Sequence, residues 1–281
     1  MSQSDFRLVH PQDAERVIRG RIDWPERDGA VPWVLLVHGF GGSMLRAFFP
    51  ELARRLVENG FAAVRFNMSC SGLGDDLETF EDEELFGRGS YSQELEDIAQ
   101  VREHLAGEAR LDPTRGGILG HSRGGGMAVI HAARRGDYGA LVTWAGVDHV
   151  LRFSPERQAE WEQNGEIHVM HWGIGRKVRL ALDTLQDVRA NAAELDVAAA
   201  CARLRTPALV VQGTRDPGVT QADGERLAGS FAPGVGQLRL IEGAGHNFNA
   251  GHPLREIKPP LAEALDVTLA WFDEHLRTLE G

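Results

Sequence analysis

The chain is poor in cysteine and lysine and has no long apolar run. Cys70 and Cys201 are its only cysteines. Two thiols so far apart supply neither a disulfide framework nor a zinc-ligand spacing, and point to a reducing compartment. Lys177 and Lys258 are the only lysines, so the basic charge is almost all arginine. Thirty basic side chains stand against 41 acidic ones, a formal charge of −11. That balance repels phosphate backbones and anionic bilayers, so neither nucleic acid nor membrane is expected as a partner. Nothing approaches the roughly 18 consecutive apolar residues of a membrane-crossing helix. Met1 to Val31 interleaves charged and apolar residues without the apolar stretch of a signal peptide. The expected location is the cytoplasm.

What remains is the composition of an ordered globular protein, with 42% hydrophobic residues in 281, a length of one or two domains. Phe6–Val9 and Arg16–Ile22 alternate apolar and polar residues, as half-buried strands do, and read as an edge hairpin. Val31–Val37 is continuously apolar, the pattern of a strand buried on both faces, and runs into the loop His38-Gly39-Phe40-Gly41-Gly42-Ser43. A helix over Pro50–Asn59, stopped by Gly60, and a strand over Phe61–Phe66 imply a parallel crossover. Asn67 to Gly89 is a long loop whose acidic stretch, Glu78 to Glu84, reads as a solvated face rather than a cation site. Ser90 and Gln93 form a capping box opening a helix that ends near Gly107.

Strands at Ala140–Ala145, Pro207–Val211 and Gln237–Ile241, with helices at Gln221–Ser230 and Leu261–Leu279, continue the alternation. That pattern specifies an α/β fold with a doubly wound, mostly parallel sheet. Asp148 to Arg205 breaks the rhythm and is expected to be a mostly helical cap insertion. The core is then residues 1–147 and 206–281, and the cap is residues 148–205.

The chemistry concentrates at Gly120-His121-Ser122-Arg123-Gly124, where a strand ending at Leu119 meets a helix carrying Met127, Ile130 and His131. This is the G-x-S-x-G pattern, in which a serine on a strained strand-to-helix corner exposes its hydroxyl above a sheet. Serine needs a base within hydrogen-bond reach, and the base needs an orienting group. In parallel sheets such groups lie just beyond the carboxyl ends of strands. That rule selects His246, after the strand at 237–241, and Asp216, after the strand at 207–211. The order Ser122, Asp216, His246 suits the architecture. Asp148, after the strand at 140–145, is the rival acid. The negative charge of a tetrahedral intermediate needs two donors; the backbone N–H groups of Phe40 and Arg123 are the candidates. His38 is expected to hold the glycine-rich loop, His121 to point beneath the strand-to-helix corner into the core, and His149, His168, His171 and His252 to pack or face solvent. Cys70 reads as a small buried residue. Among the aromatics crowding the insertion, Trp161 and Trp172 are candidates to line a substrate pocket.

Taken together, His38-Gly39-Phe40-Gly41, Asn67 to Gly74, Gly120 to Gly124, Asp216 and Gly245-His246 resemble the α/β-hydrolase superfamily over nearly the whole chain. Within it the sequence is most similar to serine hydrolases grouped with dienelactone hydrolases and small acyl, including cinnamoyl-type, esterases. Ser122 stands where true dienelactone hydrolases carry cysteine and where dehalogenases and epoxide hydrolases carry aspartate. The resemblance implies hydrolysis of a small-molecule ester through an acyl-serine intermediate, with no metal and no organic cofactor. A thioesterase, or a peptidase or amidase, is the alternative on the same residues; the peptidase version would need a charged pocket or a propeller, and no propeller is expected before this domain. A ligand receptor or interaction protein on the same scaffold is the third reading. Nothing in the sequence specifies an oligomeric state.

Overall fold

The computed structural model describes residues 2–277. The chain opens with an antiparallel pair, β1 (Ser2–His10) and β2 (Asp13–Trp24), followed by β3 (Val31–Val37), α1 (Phe49–Glu58) and β4 (Ala62–Asn67). A short helix α2 (Glu83–Gly87) interrupts the long loop before α3 (Tyr91–Ala106), β5 (Leu111–His121), α4 (Arg123–Arg135) and β6 (Ala140–Trp144). After the insertion come β9 (Ala208–Gly213), α8 (Gln221–Gly229), β10 (Gly236–Ile241) and α9 (Pro259–Leu276). The last positions of the expected terminal helix, up to Leu279, lie outside the described residues.

One eight-stranded sheet runs β1-β2-β4-β3-β5-β6-β9-β10. It is parallel from β4 to β10, while β2 joins β4 antiparallel and puts the hairpin at the edge. The apolar run of β3 is explained by its two faces, because successive side chains alternate across a strand. Trp33, Leu35 and Val37 enter a core with Leu95, Ile98 and Val101 of α3 and Met127 and Ile130 of α4. Val34 and Leu36 enter a second core with Leu52 and Leu56 of α1 and Leu261, Leu265 and Phe272 of α9. Both faces of the central strands are thereby sealed. The α3 capping box forms as expected, Ser90 accepting from the Gln93 N–H and Gln93 accepting from the Ser90 N–H.

The insertion holds three helices, α5 (Pro155–Asn164), α6 (Asp183–Ala190) and α7 (Val197–Arg203), and also a two-stranded hairpin, β7 (Glu166–His171) and β8 (Arg176–Ala181), where a mostly helical segment was expected. It divides by packing. Val197, Ala200 and Cys201 of α7 belong to the same core as α4. Trp161, Ile167, Val178 and Leu180 form a separate cluster with Phe86 of α2. The acidic stretch before α3 is partly spent holding that outer piece: Glu83 pairs with Arg176, and Glu84 with Arg179 at 3.0 Å.

Candidate active site

The corner at Ser122 is built by steric exclusion. Ser122 has φ 56° and ψ −122°, a conformation costly for any residue with a Cβ and found where the surroundings over-determine it. A methyl group at Gly120 would come within 2.1 Å of the Gly124 carbonyl oxygen, and one at Gly124 within 2.4 Å of the His38 carbonyl oxygen. Only glycine lets strand and helix cross so closely. The Ser122 N–H donates to the Trp144 carbonyl at 2.9 Å, and the Ser122 carbonyl accepts from Gly125 and Val147. The serine therefore stands at the positive end of α4.

His246 and Asp216 meet across two loops that are stitched together. The Arg215 N–H donates to Ala244 at 2.9 Å, the Thr214 N–H to Ile241, and the Gly243 N–H to the Thr214 hydroxyl. His246 Nδ1 lies 2.7 Å from Asp216 Oδ2, and Asp216 Oδ1 accepts from the Gly218 and Val219 N–H groups at 2.8 and 3.0 Å. Burial alone would raise the Asp216 carboxyl. The hydrogen bond and charge of His246 and the two backbone donors outweigh it and hold the group below the ordinary carboxylate range. With a carboxylate facing Nδ1, the proton sits there and Nε2 is left as the acceptor. The rival Asp148 is taken up elsewhere, by His149 at 2.6 Å and Arg226 at 2.8 Å.

The glycine-rich loop passes directly over the corner. A side chain at Gly39 would sit 2.9 Å from Ser122 Cβ and 3.5 Å from the Arg123 nitrogen. Among the described residues, the N–H groups of Phe40 and Arg123 have no intramolecular acceptor. Their side chains are engaged with each other: the Arg123 guanidinium lies 4.6 Å from the Phe40 ring centre and 4.2 Å from that of Tyr91, and pairs with Glu94 at 3.0 Å. Buried His38 ties the loop down, Nδ1 lying 2.9 Å from the Gly39 carbonyl oxygen and Nε2 accepting from the Met68 N–H at 3.1 Å. His121 is also buried and reaches sideways to the His246 carbonyl at 3.0 Å, anchoring that loop from below.

Ser122, His246, Phe40 and Gly218 line one cavity of about 530 Å³. Of the two tryptophans expected there, Trp172 lines it and is 85% exposed. Trp161 does not reach it: its ring packs on Phe153, and its N–H donates to the Leu180 carbonyl at 3.1 Å. The corrected role of Trp161 is as the centre of the hairpin's own core, because an indole on α5 faces β8 rather than the sheet. The cavity lining the sequence did not reveal comes from Arg46, Phe48, Phe49, Met170 and His252. His171, set aside as packing, is buried among Phe40, Phe80 and Phe86, with ring centres 5.0 to 6.4 Å away. The alternation Ile167, Val169 against Val178, Leu180 around Gly173 and Gly175 was the available signal for the hairpin that carries it.

Three buried histidines make the fold sensitive to acid. Burial pushes His38 down to about 4, His121 to about 3 and His131 to about 4. Their folded values lie below the ordinary 6.5, so between about 6.5 and 4 the unfolded chain binds more protons. Stability is full above that window and falls as pH drops through it. Urea midpoints measured from pH 7.5 to 4.5 should decrease, and His131→Leu, outside the cavity, should make the decrease shallower. A flat wild-type profile would contradict the assignment.

Comparisons with known proteins bear on the fold and the family. The model of the prolyl oligopeptidase family matches residues 56–278. The uncharacterized peptidase YuxL of Bacillus subtilis (strain 168) is 26% identical over 259 residues, covering 89% of this chain and 36% of the relative, so the chain spans about a third of the length of the curated relative it matches. The structure of Est1E from Butyrivibrio proteoclasticus with ferulic acid bound superposes with a TM-score of 0.72 at 18% identity, covering 92% of this chain and 95% of that one. The α/β-hydrolase GrgF from Penicillium sp. sh18 gives 0.75 at 14%, covering 98% and 99%. Fold, strand order and sequence model converge: the chain has the α/β-hydrolase fold and belongs to the prolyl oligopeptidase family.

Proposed function

We propose that the protein is a serine hydrolase that cleaves small to medium carboxylic esters through an acyl-serine intermediate. The observation that carries this reading is the 2.7 Å contact of His246 with buried Asp216, across one cavity from a serine held at φ 56°. In the reading, His246 Nε2 takes the Ser122 proton as Oγ attacks the ester carbonyl. The oxyanion is received by the Phe40 and Arg123 N–H groups, which are free to donate. His246 then protonates the departing alcohol, and water repeats the sequence to release the acid. Asp216 holds the tautomer and stabilises the imidazolium. Free Cys70 and Cys201 agree with a reducing cytoplasmic setting.

The family match favours a second reading, a peptidase on the same residues. A fluorophosphonate should label the protein at Ser122, located by peptide mass spectrometry, and p-nitrophenyl acetate and butyrate should be turned over faster than peptide p-nitroanilides. Faster anilide turnover would decide for the peptidase. Labelling at another residue would overturn both. Stoichiometric acylation without turnover would instead indicate a receptor.

A further inference from the structure

The cavity over Ser122 is unlike the rest of the molecule in charge. The chain carries 41 acidic side chains and a formal charge of −11, yet among the described residues no aspartate or glutamate lines this space. Asp216, nearest to the chemistry, is buried beneath His246. The smaller cavity on the far side of the Phe40 loop has Glu94 and Asp97 in its wall, so the exclusion of acids belongs to the Ser122 side.

Among the described residues, the one permanently charged group in the lining is Arg46. It lies after the glycine-rich loop, on the short segment that leads into α1. Its hydrogen bond goes to the carbonyl of Gly173 on the β7–β8 turn. Glu78 acts on it electrostatically, but among the described residues Arg46 makes no ion pair. Other arginines turned toward the interior have a carboxylate: Arg16 has Asp97, Arg65 has Asp23, and Arg123 has Glu94. A guanidinium presents five donors in a rigid fork, and one carbonyl oxygen leaves most of that fork unused. Partial burial has also removed some of its water, which lowers its pKa and strengthens what it gains from an anion. Trp172 stands at the same cavity, mostly exposed, and offers an apolar face beside the cation.

We infer that Arg46 is a specificity-determining residue that receives a carboxylate on the substrate, remote from the scissile bond, so that the preferred esters are anionic ones. The inference rests on the ester-hydrolase reading. A charged hydrogen bond of this kind gives a preference of about tenfold to a hundredfold. Phe48 and Phe49 line the same cavity and offer apolar surface to the body of such a substrate.

The test compares kcat/KM for matched esters with and without a terminal carboxylate, one pair carrying it on the acyl side (p-nitrophenyl hemiglutarate against p-nitrophenyl valerate) and one on the alcohol side (4-acetoxybenzoate against 4-acetoxytoluene). In the wild type, the anionic member of at least one pair should lead by tenfold or more, and the lead should shrink as salt rises. In Arg46→Met that ratio should collapse toward one, and Arg46→Lys should recover part of it. The ratio is taken within each variant, so general damage from losing the Gly173 contact cancels. A wild type that turns over the neutral esters but shows no anionic lead in either pair, or an Arg46→Met that keeps the lead, overturns the assignment and leaves the esterase reading standing. Failure to turn over any of the four esters overturns the esterase reading, and this inference with it.

Discussion

Ser122→Ala is expected to lower kcat by about 10⁶ on whichever ester the protein handles best, in keeping with serine triads in which losing the nucleophile costs about as much as losing the whole set. The cavity, the two donors and the His246–Asp216 couple survive the change, so KM moves little and a residue of rate above the uncatalysed reaction persists. Reaction with fluorophosphonate disappears altogether. A purified variant that still cleaved p-nitrophenyl butyrate at the wild-type rate would remove Ser122 from the mechanism. The backbone supplies a second test at the same position. Alanine keeps the Cβ that makes φ 56° costly, whereas glycine relieves it. Ser122→Gly should therefore unfold at a higher temperature than Ser122→Ala, by an amount corresponding to about 1 kcal/mol. Equal melting temperatures would show that the corner is not strained.

Asp216→Asn is expected to lower kcat by about 10⁴, and the surrounding donors give the reason an isosteric amide should fail. Oδ1 of Asp216 is held by the N–H groups of Gly218 and Val219. An asparagine must turn its oxygen toward those two donors, which aims its NH₂ at His246 Nδ1. The imidazole then has to accept at Nδ1, so its proton moves to Nε2, the atom that should take the serine proton. The base is occupied before the reaction starts. Nitrogen-15 shifts of His246 should report the exchanged tautomer, and fluorophosphonate labelling should slow in parallel with kcat. An Asp216→Asn protein with the wild-type rate would transfer the orienting role to another acid. Asp148 is an unsuitable heir, engaged as it is with His149, Arg152 and Arg226.

Much of this site is legible in the chain because its constraints are local. Gly120 and Gly124 flank Ser122 at a spacing that a crossing of strand and helix imposes. His246 and Asp216 are found by looking only at the residues just beyond strand ends, and Ser90 and Gln93 mark a helix start by a bond across three residues. The unbroken apolar run of β3 likewise reports two cores, because successive strand residues face opposite sides of the sheet. The insertion resists the same treatment. Trp161 and Trp172 are equivalent as sequence, both lying in one aromatic-rich stretch. In the fold the first packs on Phe153 while the second stands at the cavity. The turn between β7 and β8 makes that difference by carrying Trp172 back toward the loop at Gly41.

Outside the insertion and the loop that carries α2, the succession of strands and helices, the fold class and the candidate reacting groups were thus already written in the order of amino acids, since each depends on steric and hydrogen-bonding demands over a few residues. The surroundings of those groups were not, and became visible only once the chain was folded. The cavity wall is assembled from residues 39–49, 170–173 and 246–252, segments whose meeting depends on the packing of the whole sheet and its insertion. The consequence is an arginine that makes no ion pair among the described residues, in a space whose described lining holds no carboxylate.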